Sequence, residues 1–297
     1  MKKSLTFRIT LFIIKLKGLK KEFSKDPIDF KKIRKEDVYQ PRGRFFKQNN
    51  IRKFEVSNSS ITEIGPQQNA TKLLIFIHGG AYISGPAQHH WDTVKEISKQ
   101  TQHTVWVCNY PKAPENTISK ISDNIDAIYS AALETYQPNQ ISCIGDSVGG
   151  TLTTALIQRL ITKSIELLPS KIMLISPVMD ASMTNSDIEK IEITDPMLST
   201  TGVLSAKKMC AGDTNLKDPK ISPLYGSFKN FPRTILFAAD NDITYPDQML
   251  AVQKLMKAQV NIELIEGKGM PHIWPFLPIM KEAKLSLKQI IDKLNHK

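Results

Sequence analysis

The segment Gly145-Asp146-Ser147-Val148-Gly149-Gly150 places a serine among glycines, directly after the apolar run Ile141–Gly145 and ahead of a helical pattern that opens at Val148. A serine so placed stands on a sharp strand-to-helix turn, where backbone crowding admits only small neighbours and the hydroxyl is presented as a nucleophile. A second run of small residues, His78-Gly79-Gly80-Ala81-Tyr82, follows the apolar run Leu73–Ile77. Amides not covered by side chains can approach a developing oxyanion. Gly79, Gly80 and Ala81, with Val148 at its helix N-terminus, are therefore the candidate oxyanion hole. His78 suits a loop-bracing hydrogen bond better than proton transfer.

A nucleophilic serine needs a base, and His272 stands in the glycine-punctuated loop Gly267-Lys268-Gly269-Met270-Pro271-His272, after the run Ile262–Ile265. The competing histidines are weaker. His89 and His90 are adjacent and do not easily face one site together, His103 lies at a helix–strand junction, and His296 lies in a fraying terminus. None shows metal-ligand spacing. The acid that orients the imidazole belongs in the loop Ala239-Asp240-Asn241-Asp242-Ile243, where either aspartate could serve. Asp240 could instead brace that loop, and Asp247 could cap the helix that begins near it. The chain order Ser, Asp, His differs from that of trypsin-like and subtilisin-like proteases. The chemistry is acyl transfer through an acyl-enzyme, which calls for no cofactor and no metal.

These residues must be held by a scaffold, and the pattern around them supplies one. Leu73–His78, Val105–Asn109, Ile141–Gly145, Ile172–Ser176, Ile235–Ala239 and Ile262–Ile265 are apolar on both faces, as strands buried in a parallel sheet are. Helical patterns at about 88–102, 117–136, 148–163, 247–258 and 279–294 lie between and after them. The alternation predicts an α/β fold, a mainly parallel sheet flanked by helices. Ile51–Ser57 and Ile61–Ile64 read as an early antiparallel hairpin around Asn58-Ser59. From Ala181 to about Ser222 the rhythm breaks and no strand is expected. Residues 1–50 form a basic helical segment and 51–297 the catalytic domain. The insertion at about 181–222, together with 1–50, is expected to cap the end of the sheet where the loops carry function.

Three motifs now stand together. His78-Gly79-Gly80-Ala81 resembles His-Gly-Gly-Gly, Tyr110-Pro111-Lys112-Ala113-Pro114-Glu115 resembles Tyr-Arg-Leu-Ala-Pro-Glu, and Gly145-Asp146-Ser147-Val148-Gly149-Gly150 resembles Gly-Asp-Ser-Ala-Gly-Gly. These are the signatures of the hormone-sensitive-lipase-like branch of α/β-hydrolases (α/β hydrolase fold-3), and the resemblance covers about residues 73 to 275. It implies the α/β-hydrolase fold with a helical cap and a carboxylesterase with Ser147, Asp242 and His272 as its triad. In that family the acid is followed five residues on by a second aspartate, which fits Asp242 with Asp247 and not Asp240. By the same resemblance Gly80 and Ala81 donate to the oxyanion with Val148, while Gly79 shapes the turn. Ala81 replaces the usual glycine and narrows the pocket there. The first 70 residues match only loosely.

The expected reaction is hydrolysis of short- to medium-chain acyl esters. Amide or peptide hydrolysis on the same fold, and lipid ester hydrolysis at a membrane surface, are the alternatives. A ligand-binding role, as in plant receptors of the family that lost the histidine, is opposed by His272.

Composition bounds the rest. Of 40 Lys and Arg against 29 Asp and Glu, residues 1–55 hold 17 against 6, so the remainder carries 23 of each sign. A basic arm on a neutral body points to a local role and not to a nucleic-acid surface. The expected partner is a small-molecule ester, with peripheral membrane contact through residues 1–20 as a further expectation. Cys108, Cys143 and Cys210 form no CxxC pair, which reads as buried, reduced thiols of a cytoplasmic protein. The apolar stretch Ile9–Ile14 after Lys2 and Lys3 is too short to span a bilayer and has no small-residue cleavage site behind it. Leu5, Ile9, Phe12, Ile13 and Leu16 share one helical face. Such a helix either folds onto the domain or lies on an anionic membrane surface.

Overall fold

A computed structural model describes residues 3–48, 51–65 and 70–296. Its centre is one eight-stranded sheet in the order β1-β2-β4-β3-β5-β6-β7-β8. The strands are β1 (Ile51–Val56), β2 (Ser59–Ile64), β3 (Lys72–Ile77), β4 (His103–Asn109), β5 (Ile141–Asp146), β6 (Lys171–Ile175), β7 (Arg233–Ala239) and β8 (Ile262–Gly267). β4 to β8 and β3 run parallel, while β1 and β2 are antiparallel additions at one edge. The hairpin turns at Ser57 and Asn58, Ser57 having φ 54°, so the turn falls one residue earlier than the sequence suggested and β2 begins at Ser59.

The inner strands are fully buried because helices cover both faces of the sheet: β5 and β6 expose no residue, and β4 and β7 only one terminal residue each to any extent. Each large aliphatic side chain withdrawn from water there contributes about 1.5–3 kcal/mol. The longer helices are α1 (Leu5–Lys17), α2 (Gln88–Gln100), α3 (Ile118–Leu133), α4 (Val148–Lys163), α5 (Thr200–Ala211), α6 (Tyr245–Lys257) and α7 (Lys281–Asn295). Five of the seven match the sequence patterns to within a few residues; α5 lies in the strandless stretch, beside the short helix Ile188–Glu192.

From β3 the chain crosses to β4 on one side and later to β5 on the other. Two loops diverge at that point and leave a crevice outside the carboxyl ends of the strands, the usual ligand position in such sheets. Residues 78–82 leave β3 and Ser147 leaves β5 at this crevice.

The N-terminal segment is bound to the body by polar contacts as well as by packing. Ser4 donates through N and Oγ to the Glu282 carboxylate at 2.8 and 2.7 Å. Arg34 donates to both Glu115 oxygens at 2.8 and 2.7 Å and to the carbonyls of Ile83 and Ala113, each at 2.6 Å. Phe23 accepts from the Gly202 N–H at 2.8 Å. A Cβ on Gly202 would lie 2.0 Å from that carbonyl oxygen, so only glycine allows this approach.

α1 corrects the expectation about its face. Phe7, Thr10 and Ile14 are its buried residues, whereas Leu5, Ile9, Phe12 and Leu16 are 72, 42, 62 and 70% exposed. The helix does fold onto the domain, against α7, but with the opposite side inward. Among the described residues no helix is long and apolar enough to cross a membrane. Cys108, Cys143 and Cys210 are buried and unpaired.

Candidate active site

Ser147 caps α4 with φ 51° and ψ −123°, a backbone conformation rare for any residue with a side chain. The turn is held by Ser147 N–H donating to Ile175 O at 2.8 Å. It is also held by close packing: a Cβ on Gly149 would lie 2.0 Å from Ile77 O, which is why the elbow contains glycine there. The side chain is thereby left partly exposed at the floor of a cavity of about 380 Å³.

His272 lines the same cavity and is 4% exposed. Its Nδ1 donates to Asp242 Oδ2 at 2.7 Å, which leaves Nε2 as the basic nitrogen. Asp242 is fully buried and its other oxygen accepts from Thr244 N and Oγ1 at 2.9 and 2.8 Å. Burial alone would push the imidazole pKa down. The adjacent Asp242 charge and hydrogen bond outweigh it and hold His272 above its ordinary value. Asp240, the other candidate acid, accepts from Gly269 N–H and so braces the loop that carries His272. Asp247 does not cap α6; its Oδ1 accepts from Asn185 Nδ2 at 2.8 Å.

The small-residue loop divides its amides. Gly79 N–H is taken by Asp146 Oδ1 at 2.9 Å, so Gly79 is withdrawn from the candidate donors. The amides of Gly80, Ala81 and Val148 have no acceptor among the described residues, and all three residues line the cavity. Ala81 has φ 54°, a conformation that costs a residue with a Cβ about 1–2 kcal/mol. His78 braces the loop as expected, with Nδ1 2.6 Å from Gly79 O and its ring stacked on Tyr110.

His89 and His90, set aside as unable to share a site, in fact both line the cavity with ring centroids 3.9 Å apart. Burial and the neighbouring His90 hold His89 down at about 3. With Asp146 they form the one group among the described residues whose donor atoms could reach a shared metal ion, all within 4.8 Å. His90 argues against that use. Its Nδ1 accepts from Ala87 N–H at 2.8 Å, so its proton sits on Nε2, facing Asp146 Oδ2 at 3.3 Å, and leaves no lone pair for a metal. Burial raises the Asp146 carboxyl, but His90 and the Gly79 amide outweigh it and hold it below its usual range. The trio braces the small-residue loop at Gly79.

Two residues of the insertion escaped the sequence reading. Asp195 accepts from Met197 and Leu198 N–H at 2.7 and 2.9 Å and from Ile243 N–H at 2.9 Å, tying the insertion to the Asp242 loop. Burial, then the Asp242 charge, push it up to about 6. Its signal was an Asp-Pro step at 195. Lys207 lines the cavity, and nothing in the sequence separates it from the exposed Lys208. A more open groove of about 1040 Å³, between the short helix Ile188–Glu192 and α6, holds none of the candidate residues.

Residues 74–276 match the family described as alpha/beta hydrolase fold. The chain belongs to that family. This hydrolase is 30% identical over 255 residues to an esterase of Acinetobacter venetianus, with 84% of each chain covered. It is 29% identical over 233 residues to the esterase LipU of Mycobacterium tuberculosis, covering 76% of this chain and 78% of that one. In fold it matches an esterase of the bacterial hormone-sensitive lipase family with TM-score 0.87, at 22% identity and 99% coverage of each chain. It is a hydrolase of the serine esterase and lipase type.

Proposed function

We propose that the hydrolase cleaves short- to medium-chain carboxylic esters by two-step acyl transfer. Ser147 Oγ attacks the ester carbonyl while His272 Nε2 takes its proton. Asp242 fixes the imidazole tautomer, and the amides of Gly80, Ala81 and Val148 receive the oxyanion. His272 then protonates the leaving alcohol and activates the water that releases the acid. The observation that carries this reading is the buried 2.7 Å His272–Asp242 contact in a cavity shared with Ser147. A pocket of about 380 Å³ suits a modest acyl chain.

Residues within 14–36 and 197–207 line that cavity, and we assign these segments the part of a cap. Hydrolysis of p-nitrophenyl esters from acetate to palmitate tests the whole reading, with an amide analogue alongside. Turnover is expected to peak at short or medium chains and to vanish in Ser147→Ala. Turnover that survives that substitution, or amide cleavage without ester cleavage, overturns it.

A second reading concerns where the enzyme works. The exposed stripe Leu5, Ile9, Phe12 and Leu16 is flanked by Arg8, Lys15 and Lys17, while Ile14 and Lys17 of the same helix line the cavity. We infer that α1 rests on an anionic membrane surface beside the pocket mouth. Co-sedimentation of the full chain with phosphatidylglycerol vesicles is expected, with loss in Phe12→Ser/Leu16→Ser. Absence of binding, or equal binding to phosphatidylcholine vesicles, counts against it.

A further inference from the structure

The cavity has one feature that the triad and the oxyanion loop do not use. Lys207 of α5 is 0% exposed, and its Nζ has no hydrogen-bond partner among the described residues. No carboxylate among the described residues pairs with it; the Tyr82 ring lies against it, with its centroid 4.3 Å away. The other insertion residues that line the cavity, Met197, Leu198 and Val203, are apolar, while its other charged lining residues come from the N-terminal segment and from Asp146. A buried, unpaired amine is costly, because it forfeits water and gains no acceptor in exchange. Pockets that recognise small molecules place such isolated polar groups on apolar walls, where they orient the ligand.

We propose that Lys207 is a specificity-determining residue: it donates to a second oxygen acceptor on the ester, a keto, ether or carboxylate oxygen apart from the scissile group. The natural substrate is then an oxygenated ester and not a plain alkanoyl one. This rests on the ester-hydrolase reading and narrows its substrate class. Burial brings the amine down to about 7, so near neutrality it can take up a proton at little cost when an anionic acceptor arrives, and it donates in either state. The aromatic ring beneath it holds the ammonium form without offering a competing acceptor.

The test compares matched esters. In the acyl series, p-nitrophenyl 4-oxopentanoate and p-nitrophenyl hemiglutarate are set against p-nitrophenyl pentanoate. In the alcohol series, 2-methoxyethyl butyrate is set against butyl butyrate. The wild type is expected to favour an oxygenated member of at least one series by roughly tenfold or more in kcat/KM, the size of one hydrogen bond to a charged donor. In Lys207→Met that ratio falls towards one, with the loss carried by KM. The proposal is overturned if the wild type shows no such preference in either series, a result that needs no variant to fold. It is overturned equally if the preference survives in Lys207→Met, which would make the lysine a packing element. Failure of the esterase reading itself looks different: no Ser147-dependent turnover of any ester.

Discussion

Ser147 holds φ 51° and ψ −123° because the elbow leaves its backbone no alternative, and the serine side chain bears the strain. Replacing it with glycine removes the proposed nucleophile and the Cβ together. Ser147→Gly is expected to abolish turnover while raising unfolding free energy by about 1 kcal/mol, read by urea denaturation. The His272 shift gives a second expectation. A base must be unprotonated, and a pKa held above 6.5 keeps it protonated further up the pH scale. The acid limb of kcat/KM should therefore have its midpoint above 6.5. Asp242→Asn should lower kcat by about a thousandfold or more, measured from initial rates. That Ser147 and His272 share a cavity could be anticipated from the sequence, because a serine elbow and a glycine-rich loop are local patterns. The places of Asp195 and Lys207 could not be anticipated, since their roles come from burial against strands and loops distant in the chain.

At the scale of elements, the N-terminal segment and α5 depend on one another. Gly202→Val would drive a side chain into Phe23 O and is expected to cost about 1–3 kcal/mol. Limited proteolysis should then cut within residues 18–36 where the wild type resists. Arg34→Ala removes donors from two carbonyls and from a Glu115 that is itself 55% exposed, so the carbonyl bonds carry most of its effect. A loss of about 1–3 kcal/mol is expected by thermal unfolding. The inner strands were read correctly because continuous apolar runs mark buried parallel strands whatever lies above them, whereas β8, expected to be buried on both faces, is a half-buried edge strand carrying Glu263 and Glu266. The docking face of α1 was misread, because Phe7, Leu11 and Ile14 form a second apolar side opposite Leu5, Ile9, Phe12 and Leu16. With apolar residues on both sides, periodicity alone does not say which one the body takes.

For the molecule as a whole, lysines held down by burial, Lys207, Lys112 and Lys171, set a pH response. Burial holds Lys207 at about 7 and Lys112 and Lys171 at about 8, against 10.5 for an exposed lysine. Between those values the unfolded chain binds more protons than the folded one, so stability rises with pH. The melting temperature should increase from pH 7 to pH 9, and Lys207→Met should flatten the lower part of that rise.

The strands and loops that carry Ser147, Asp242 and His272 are distinct in the chain from residues 14–36 and 197–207, which line the cavity and which we take as its roof. Inheritance can therefore change the one while keeping the other, provided that the Asp195 link between them is kept. A lineage can exchange side chains in the roof and acquire new diets of esters while the reacting atoms stay where they were. Laboratory selection aimed at the roof inherits the same freedom.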